Sequence, residues 1–262
     1  PLSLVTEVVN NLKNNGIELF NMDLIYGLPF QTIDSITQTI KDVINFRPTR
    51  IALYSYAHVP SLKPAQKLLE KDGLPDAEEK LLLAEKAREL LLEAGYFEIG
   101  MDHFALTTDS LYKSFKQNEL HRNFMGYTVQ RSNVLLGLGP SSLSDSWDAF
   151  SQNEKDYQKW QELVNKEEHA IVHGHQLTSD EIKRRNEILN LMCNFKTNFL
   201  EKDFSTNQLH KISTMRNDDL LTIKDNHLEA TELGRHFIRN ICMAFDDALD
   251  KGNMTNSFTK TI

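Results

Sequence analysis

An α/β chain with a smaller, mostly helical unit at its C-terminal end is what this sequence predicts, and three observations carry the prediction. Strand-length apolar runs alternate with amphipathic helical stripes through residues 1–101, with short connections between them. The first of these runs is apolar on both flanks, as parallel strands covered by helices require. From residue 177 onward helices dominate, interrupted by a turn signal at Asp225-Asn226.

Leu4, Val5, Val8, Val9 and Leu12 recur at helical spacing, and Gly16 closes this first helix. Residues 17–27 then read as a buried strand, in which period two puts Asn21, Asp23 and Ile25 on one face. It ends in the tight turn Gly27-Leu28-Pro29. Thr32 caps the next helix, whose stripe is Ile33, Ile36, Ile40, Val43 and Ile44, with Pro48 just beyond its end. Residues 51–57 are the second strand. A strand, helix and strand joined this tightly form a right-handed crossover, so the two strands run parallel. A long helix over 76–94, closed by Gly95, leads to a short strand at 96–101. Two or three parallel strands are too few to close a barrel or to cover a stable core, so the sheet is expected to need strands from outside this sequence. The start inside a helix, without Met, points the same way.

After Ser144 a polar helical connector with Trp147, Tyr157 and Trp160 is expected over 145–176. In 177–262, Thr178 or Ser179 caps a helix through Ile182, Ile188, Leu189, Met192 and Cys193. A second helix at 206–215, a strand at 220–223 and a closing helix at 231–249 complete a winged-helix-like unit. The domain division expected is therefore 1–144, 145–176 and 177–262.

Composition narrows the function. The 262 residues are 40% hydrophobic and 25% charged, enough for one large globular domain and a smaller one. The longest apolar runs, such as 134–138, are far too short for a membrane span. Pro1-Leu2-Ser3-Leu4 has no basic region or cleavage site, so a cytoplasmic protein is expected. A net charge of −8 disfavours nucleic acid, and 177–262 carries 12 Lys and Arg against 13 Asp and Glu, which leaves no footprint for phosphates on the winged unit. Cys193 and Cys242 lie far apart, belong to no ligand spacing and are expected to be buried thiols. Two cysteines cannot supply three thiolates to an iron–sulfur cluster.

Several stretches are chemically unusual: Asn21-Met22-Asp23-Leu24-Ile25-Tyr26-Gly27-Leu28-Pro29-Phe30-Gln31, Tyr54-Ser55-Tyr56-Ala57-His58-Val59-Pro60, Gly100-Met101-Asp102-His103-Phe104-Ala105 and His121-Arg122-Asn123-Phe124-Met125-Gly126-Tyr127-Thr128. With Leu135-Leu136-Gly137-Leu138-Gly139 and the tail Ile238-Arg239-Asn240-Ile241-Cys242-Met243, they resemble the oxygen-independent coproporphyrinogen III oxidases, also called coproporphyrinogen dehydrogenases. The likeness covers nearly the whole chain.

That resemblance implies the C-terminal part of a partial (β/α)6, TIM-like radical S-adenosylmethionine barrel followed by the winged-helix-like unit. It implies oxidative decarboxylation of two propionates of coproporphyrinogen III to the vinyl groups of protoporphyrinogen IX, in haem biosynthesis. The cofactors implied are S-adenosylmethionine and a [4Fe–4S] cluster, with a reduced electron donor and a monomeric parent enzyme. The cluster-binding cysteine motif of the family has no counterpart here, so the chain as it stands is expected to be inactive.

Carried over residue by residue, Asp23, Ala57 and Leu143 match positions that contact adenosylmethionine. Asp23 would accept a hydrogen bond from a ribose hydroxyl or the ammonium group, or else it is a buried Asp that orders the Gly27-Leu28-Pro29 turn. Ala57 is small enough for close approach of the main chain to a ligand, or is a packed strand residue. Leu143 stands where the family can carry Ile, and Gly137 to Gly139 nearby read equally as a plain turn. His58, Asp102, His103, Arg122 and Tyr127 are candidates for substrate handling, since four propionates demand Arg, His or hydroxyl donors. The alternative for each is structural: a tied-down loop or an ion pair. A radical-enzyme paralogue that carries haem, and a non-enzymatic winged-helix binder, are the competing functions. The Phe124 and Gly126 of the 121–127 loop favour the dehydrogenase over the first, and the balanced charge disfavours the second.

Overall fold

The computed structural model describes residues 1–250; positions 251–262 of the C-terminal unit lie outside the described residues. Helix α1 (Leu2–Asn14) ends at Asn15 and Gly16, the latter at φ 77°. Its apolar stripe is largely uncovered: Val9 is buried, while Leu4, Val5 and Val8 are exposed. Strand β1 (Asn21–Tyr26) pairs in parallel with β2 (Arg50–Ser55), Asp23 opposite Ala52 and Ile25 opposite Tyr54. Helix α2 (Ile33–Phe46) starts in a capping box between Thr32 and Ser35, and α3 (Ala77–Glu93), after a 3₁₀ segment at Pro64–Asp72, starts in one between Asp76 and Glu79. Both helices cover one face of the sheet, where Ile36, Ile40, Leu83, Ala87 and Leu91 pack on Tyr26, Ile51, Leu53 and Phe104.

The third strand differs from expectation. Residues 97–105 form a hairpin, β3 (Phe97–Ile99) and β4 (His103–Ala105), and β4 inserts antiparallel between β2 and β3 to give the order β1-β2-β4-β3. Gly100 at φ 57° and Asp102 at φ 62° make the reversal, which the expected single strand at 96–101 misses. Gly100 has a second constraint, because a Cβ there would sit 2.3 Å from the Tyr127 hydroxyl.

Beyond α4 (Ser110–Lys116), capped by Asp109, residues 121–128 are likewise a hairpin, β5 (His121–Asn123) with β6 (Gly126–Thr128). The stretch expected to be a helical connector holds one helix, α5 (Tyr157–Asn165), between two strands of an antiparallel sheet formed by β7 (Leu143–Asp145), β8 (Ala149–Asn153) and β9 (Ile171–Gln176). These strands escape a pattern search because every β8 residue is half-buried and every β9 residue exposed, so neither shows apolar alternation.

The C-terminal unit matches its expected winged-helix plan. Helix α6 (Ser179–Asn194), capped by Thr178, is followed by β10 (Lys196–Asn198), a 3₁₀ turn at Glu201–Asp203 and α7 (Thr206–Asn217). Strands β11 (Leu221–Lys224) and β12 (His227–Ala230) meet at Asp225-Asn226, both at positive φ as a two-residue type I′ hairpin requires. The expected single closing helix is three: α8 (Glu232–His236), α9 (Ile238–Phe245) and α10 (Asp247–Asp250). The first break falls at Phe237, whose N–H bonds three residues back to Gly234. Phe195, Phe199, Ile241 and Phe245 centre this core, and Met101 and Phe115 from the sheet region pack against it. Among the described residues no helix is long and apolar enough to cross a membrane.

Candidate functional site

Register decides which side chains can meet. With Asp23 opposite Ala52 and Ala52 opposite His103, the face turned away from α2 and α3 carries Asn21, Asp23 and Ile25 of β1, Arg50, Ala52 and Tyr54 of β2, and His103 and Ala105 of β4. At its β3–β4 end this face is sealed by Ile99, Ala105, Leu111, Leu120 and Tyr127. At its β1–β2 end it is open, and Asp23, Ile25 and Tyr54 are exposed.

A band of side chains crosses it. The Asn21 amide donates to Asp23 Oδ1 at 2.6 Å, and the other carboxylate oxygen has no partner among the described residues. The Tyr54 ring meets His103 edge-on at 6.0 Å, His103 meets Tyr127 at 5.2 Å, and the Arg122 guanidinium lies 4.8 Å from the centre of the Tyr127 ring. Burial, helped by the nearby Asp23 and Asp102 carboxylates, raises the Tyr54 phenol above its ordinary pKa, so it stays a donor. His103 is pushed below the usual imidazole value, first by burial, and is neutral at pH 7. Its Nδ1 lies 2.9 Å from the Met101 carbonyl, an acceptor only, so Nδ1 carries the proton and Nε2 the lone pair. Arg122 Nη1 is buried with no hydrogen-bond partner among the described residues.

The grounds on which several residues were expected to serve change on this map. Asp23 is exposed on an open face rather than buried in the strand, so its interest rests on position. The turn-ordering alternative falls too: Gln31 orders that turn, accepting from Gly27 N–H at 2.7 Å and donating to the Ile25 carbonyl at 3.3 Å. Ala57, just past β2, is exposed and gives its carbonyl to the Gln66 amide at 2.9 Å. It lines a cavity of about 190 Å³ at the end of β2, shared with Tyr26, Tyr54, Tyr56, Asp102 and Arg239. Leu143 is half-buried in β7, opposite Gln152. No hydrogen bond joins Asp23, Ala57 and Leu143, and the three stand on a sheet face, a cavity rim and a second sheet.

Among the substrate candidates the structure groups His103, Arg122 and Tyr127 and separates the other two. The Tyr127 hydroxyl is engaged structurally, accepting from Met101 N–H and donating to the Met192 carbonyl, each at 2.8 Å. Asp102 lies on the cavity side, 3.1 Å from Arg239. Burial still holds its carboxyl above the ordinary range. His58 Nε2 meets Glu70 at 3.1 Å in the loop after β2. Sequence reasoning misses Tyr54 as a site residue, although its alternation with Ala52 could place it on the Asp23 face. The cavity has no sequence signal, being made by α3, the β3–β4 hairpin and α8–α9 together.

No family model matches the chain. Curated relatives do, among them oxygen-independent coproporphyrinogen III oxidases from several bacteria. That of Salmonella typhimurium is 36% identical over 264 residues, 97% of this chain and 58% of the relative. That of Synechocystis is 35% identical over the whole chain and 59% of the relative, and that of Thermostichus vulcanus is 35% identical over 98% of the chain and 82% of the relative. A solved structure, described as coproporphyrinogen III oxidase (HemN) from Escherichia coli, a radical SAM enzyme, superposes with a TM-score of 0.88 at 34% identity, covering 95% of this chain and 59% of that one. The chain thus spans somewhat under three-fifths of the length of the first of these relatives. On this likeness, the chain belongs to the oxygen-independent coproporphyrinogen III oxidase family.

Proposed function

We propose that this chain serves the oxidative decarboxylation of coproporphyrinogen III to protoporphyrinogen IX in haem biosynthesis, as a cytoplasmic protein fed by a reduced electron donor, with the open sheet face as its working surface. One observation carries the reading: an exposed carboxylate, Asp23, and a guanidinium with a buried, unpartnered nitrogen, Arg122, sit at the two ends of one aromatic band. An ammonium- and ribose-bearing cofactor suits the first, and a propionate suits the second. Asp23 is assigned to adenosylmethionine, with Ala57 and Leu143 as the two further contacts that the resemblance names.

Bound adenosylmethionine, together with a reduced [4Fe–4S] cluster, supplies the chemistry that removes a hydrogen atom from the substrate propionate. The described residues fit the first group and not the second. Cys193 and Cys242 are both buried, burial pushes each thiol up to about 12, and no group of three His, Cys, Asp or Glu among the described residues can hold a metal.

What the chain's own groups do follows from their protonation. Arg122 holds a carboxylate at an otherwise unsatisfied N–H. Tyr54, kept protonated, donates a hydrogen bond beside it, and His103, kept neutral, offers Nε2 as an acceptor. Their assembly on strands rather than loops keeps these directions fixed.

The test is calorimetric titration of adenosylmethionine into the 262-residue chain and its Asp23→Asn variant. Because the Asp23 side chain is exposed and bonded only to Asn21 among the described residues, the substitution leaves the fold intact. The loss of a charge-assisted bond is expected to weaken binding by about 1.5–3 kcal/mol. Equal affinity in the two proteins would remove Asp23 from the site.

A further inference from the structure

The turn between β7 and β8 places Trp147 at φ 73°, a conformation that a bulky side chain adopts only where its surroundings force it. The forcing contacts are visible. Asp145 Oδ1 accepts from Trp147 N–H at 2.8 Å, and Arg185 clamps the same turn, reaching Asp145 at 2.5 and 3.0 Å and the Trp147 carbonyl at 2.9 Å. The outcome is an indole ring held fast with two guanidiniums stacked on it, Arg185 at 4.3 Å and Arg131 at 3.9 Å from its centre. Arg185 is spent on Asp145. Arg131 is exposed and makes no ion pair or hydrogen bond among the described residues.

His121 lies beside the ring at 6.1 Å, and its pKa is lowered by burial and then by the two arginines, so it adds a neutral donor or acceptor rather than a third charge. Asp145, the acid beside these groups, is neutralised by Arg185. A stacked guanidinium keeps its N–H edge free and pre-aimed, which is the arrangement that takes a planar carboxylate in two parallel bonds. The neighbouring residue on β5 is Arg122, whose side chain points to the opposite face of the β5–β6 ribbon, over Tyr127. The ribbon thus carries Arg122 on one side and has Arg131, on Trp147 beside His121, near the other, and neither guanidinium has an ion-pair partner among the described residues. A small mono-carboxylate engages one of them, whereas a macrocycle with carboxylates around its rim can engage both.

We infer that Arg131, mounted on Trp147, is a second carboxylate-binding residue that grips one propionate of the tetrapyrrole while Arg122 grips another. This rests on the tetrapyrrole reading given above, and it makes the turn a device that counts carboxylates.

Coproporphyrin III, the oxidised macrocycle with the same four carboxylates, and its tetramethyl ester are titrated against the 262-residue chain and the Arg131→Gln, Arg131→Lys and Trp147→Leu variants, following the porphyrin absorption band. Arg131→Gln is expected to weaken binding of the acid about tenfold and to leave the ester unchanged. Arg131→Lys falls between, having the charge without the fork, and Trp147→Leu matches Arg131→Gln because the guanidinium loses its platform. Acid binding by Arg131→Gln equal to that of the unsubstituted chain overturns the inference and spares the tetrapyrrole reading. Failure of the unsubstituted chain to bind the acid overturns both.

Discussion

Replacing Tyr127 by Phe separates a structural role from a substrate role at a residue where the sequence allowed either. Its hydroxyl accepts from Met101 N–H and donates to the Met192 carbonyl, so it ties the β3–β4 turn to α6 across a buried seam. Burial pushes the phenol up to about 12, which keeps it a donor through the neutral range. Deleting the oxygen strands one backbone donor and one backbone acceptor. Each unsatisfied group costs about 1–3 kcal/mol, and with both partly buried the sum is about 2–4 kcal/mol. The ring stays, so little packing is lost. Urea unfolding should show the unfolding free energy falling by that amount, as a lower midpoint at unchanged slope, with faster hydrogen exchange at Met101 N–H reporting the same bond. Coproporphyrin III affinity should be unchanged, because the ring beneath Arg122 stays and the hydroxyl is engaged by Met101 N–H and the Met192 carbonyl. A variant within about 0.5 kcal/mol of the parent in stability, or one that loses porphyrin and keeps its stability, would refute this assignment.

Two further substitutions probe the C-terminal unit and its junction. At Gly234 a Cβ would lie 1.7 Å from the Leu220 carbonyl oxygen, which already accepts from Thr231 N–H, so Gly234→Ala must push α8 off β11 and should cost about 3 kcal/mol by thermal unfolding. Arg239→Gln removes the cation facing Asp102, whose carboxyl is held above 3.8 chiefly by burial. An acid with a raised folded pKa loses stability as pH rises through that value, and without Arg239 the ionised form is worse off still. The pair is partly exposed, so the expected cost is about 1–2 kcal/mol at pH 8, shrinking as pH falls toward the folded pKa of Asp102. Melting temperatures at pH 8 and pH 5 check the sign.

The parts of the fold legible in the sequence are those where a repeat of one period meets a cap. Helix α2 announces itself by Thr32 and the Ile33, Ile36, Ile40 stripe, and α6 by Thr178 and its own apolar positions. The hairpin at Asp225-Asn226 is fixed by two residues that accept positive φ. What stayed hidden was made by pairing rather than by pattern. Strand β4 is three residues long and owes its place between β2 and β3 to the Gly100–Asp102 reversal. Strands β8 and β9 are held by backbone bonds on a half-wet sheet, with no alternation to read.

The candidate site divides along the same line. Asp23 can be named from the sequence as a carboxylate in an apolar strand, and His103 and Arg122 from the carboxylate substrate that the resemblance implies, but which of them share a face is a matter of register, and register follows only once β4 is known to pair with β2. That one antiparallel insertion sends His103 to the Asp23 face and leaves Asp102, its neighbour, on the cavity side with Arg239. The adjacent pair Asp102-His103 therefore does not act as a unit, although in sequence it looks like one. Trp147 and Arg131 are the converse case: far apart in the chain and ordinary as residue types, they become a candidate carboxylate clasp because Asp145 and Arg185 force a turn that no residue preference would choose.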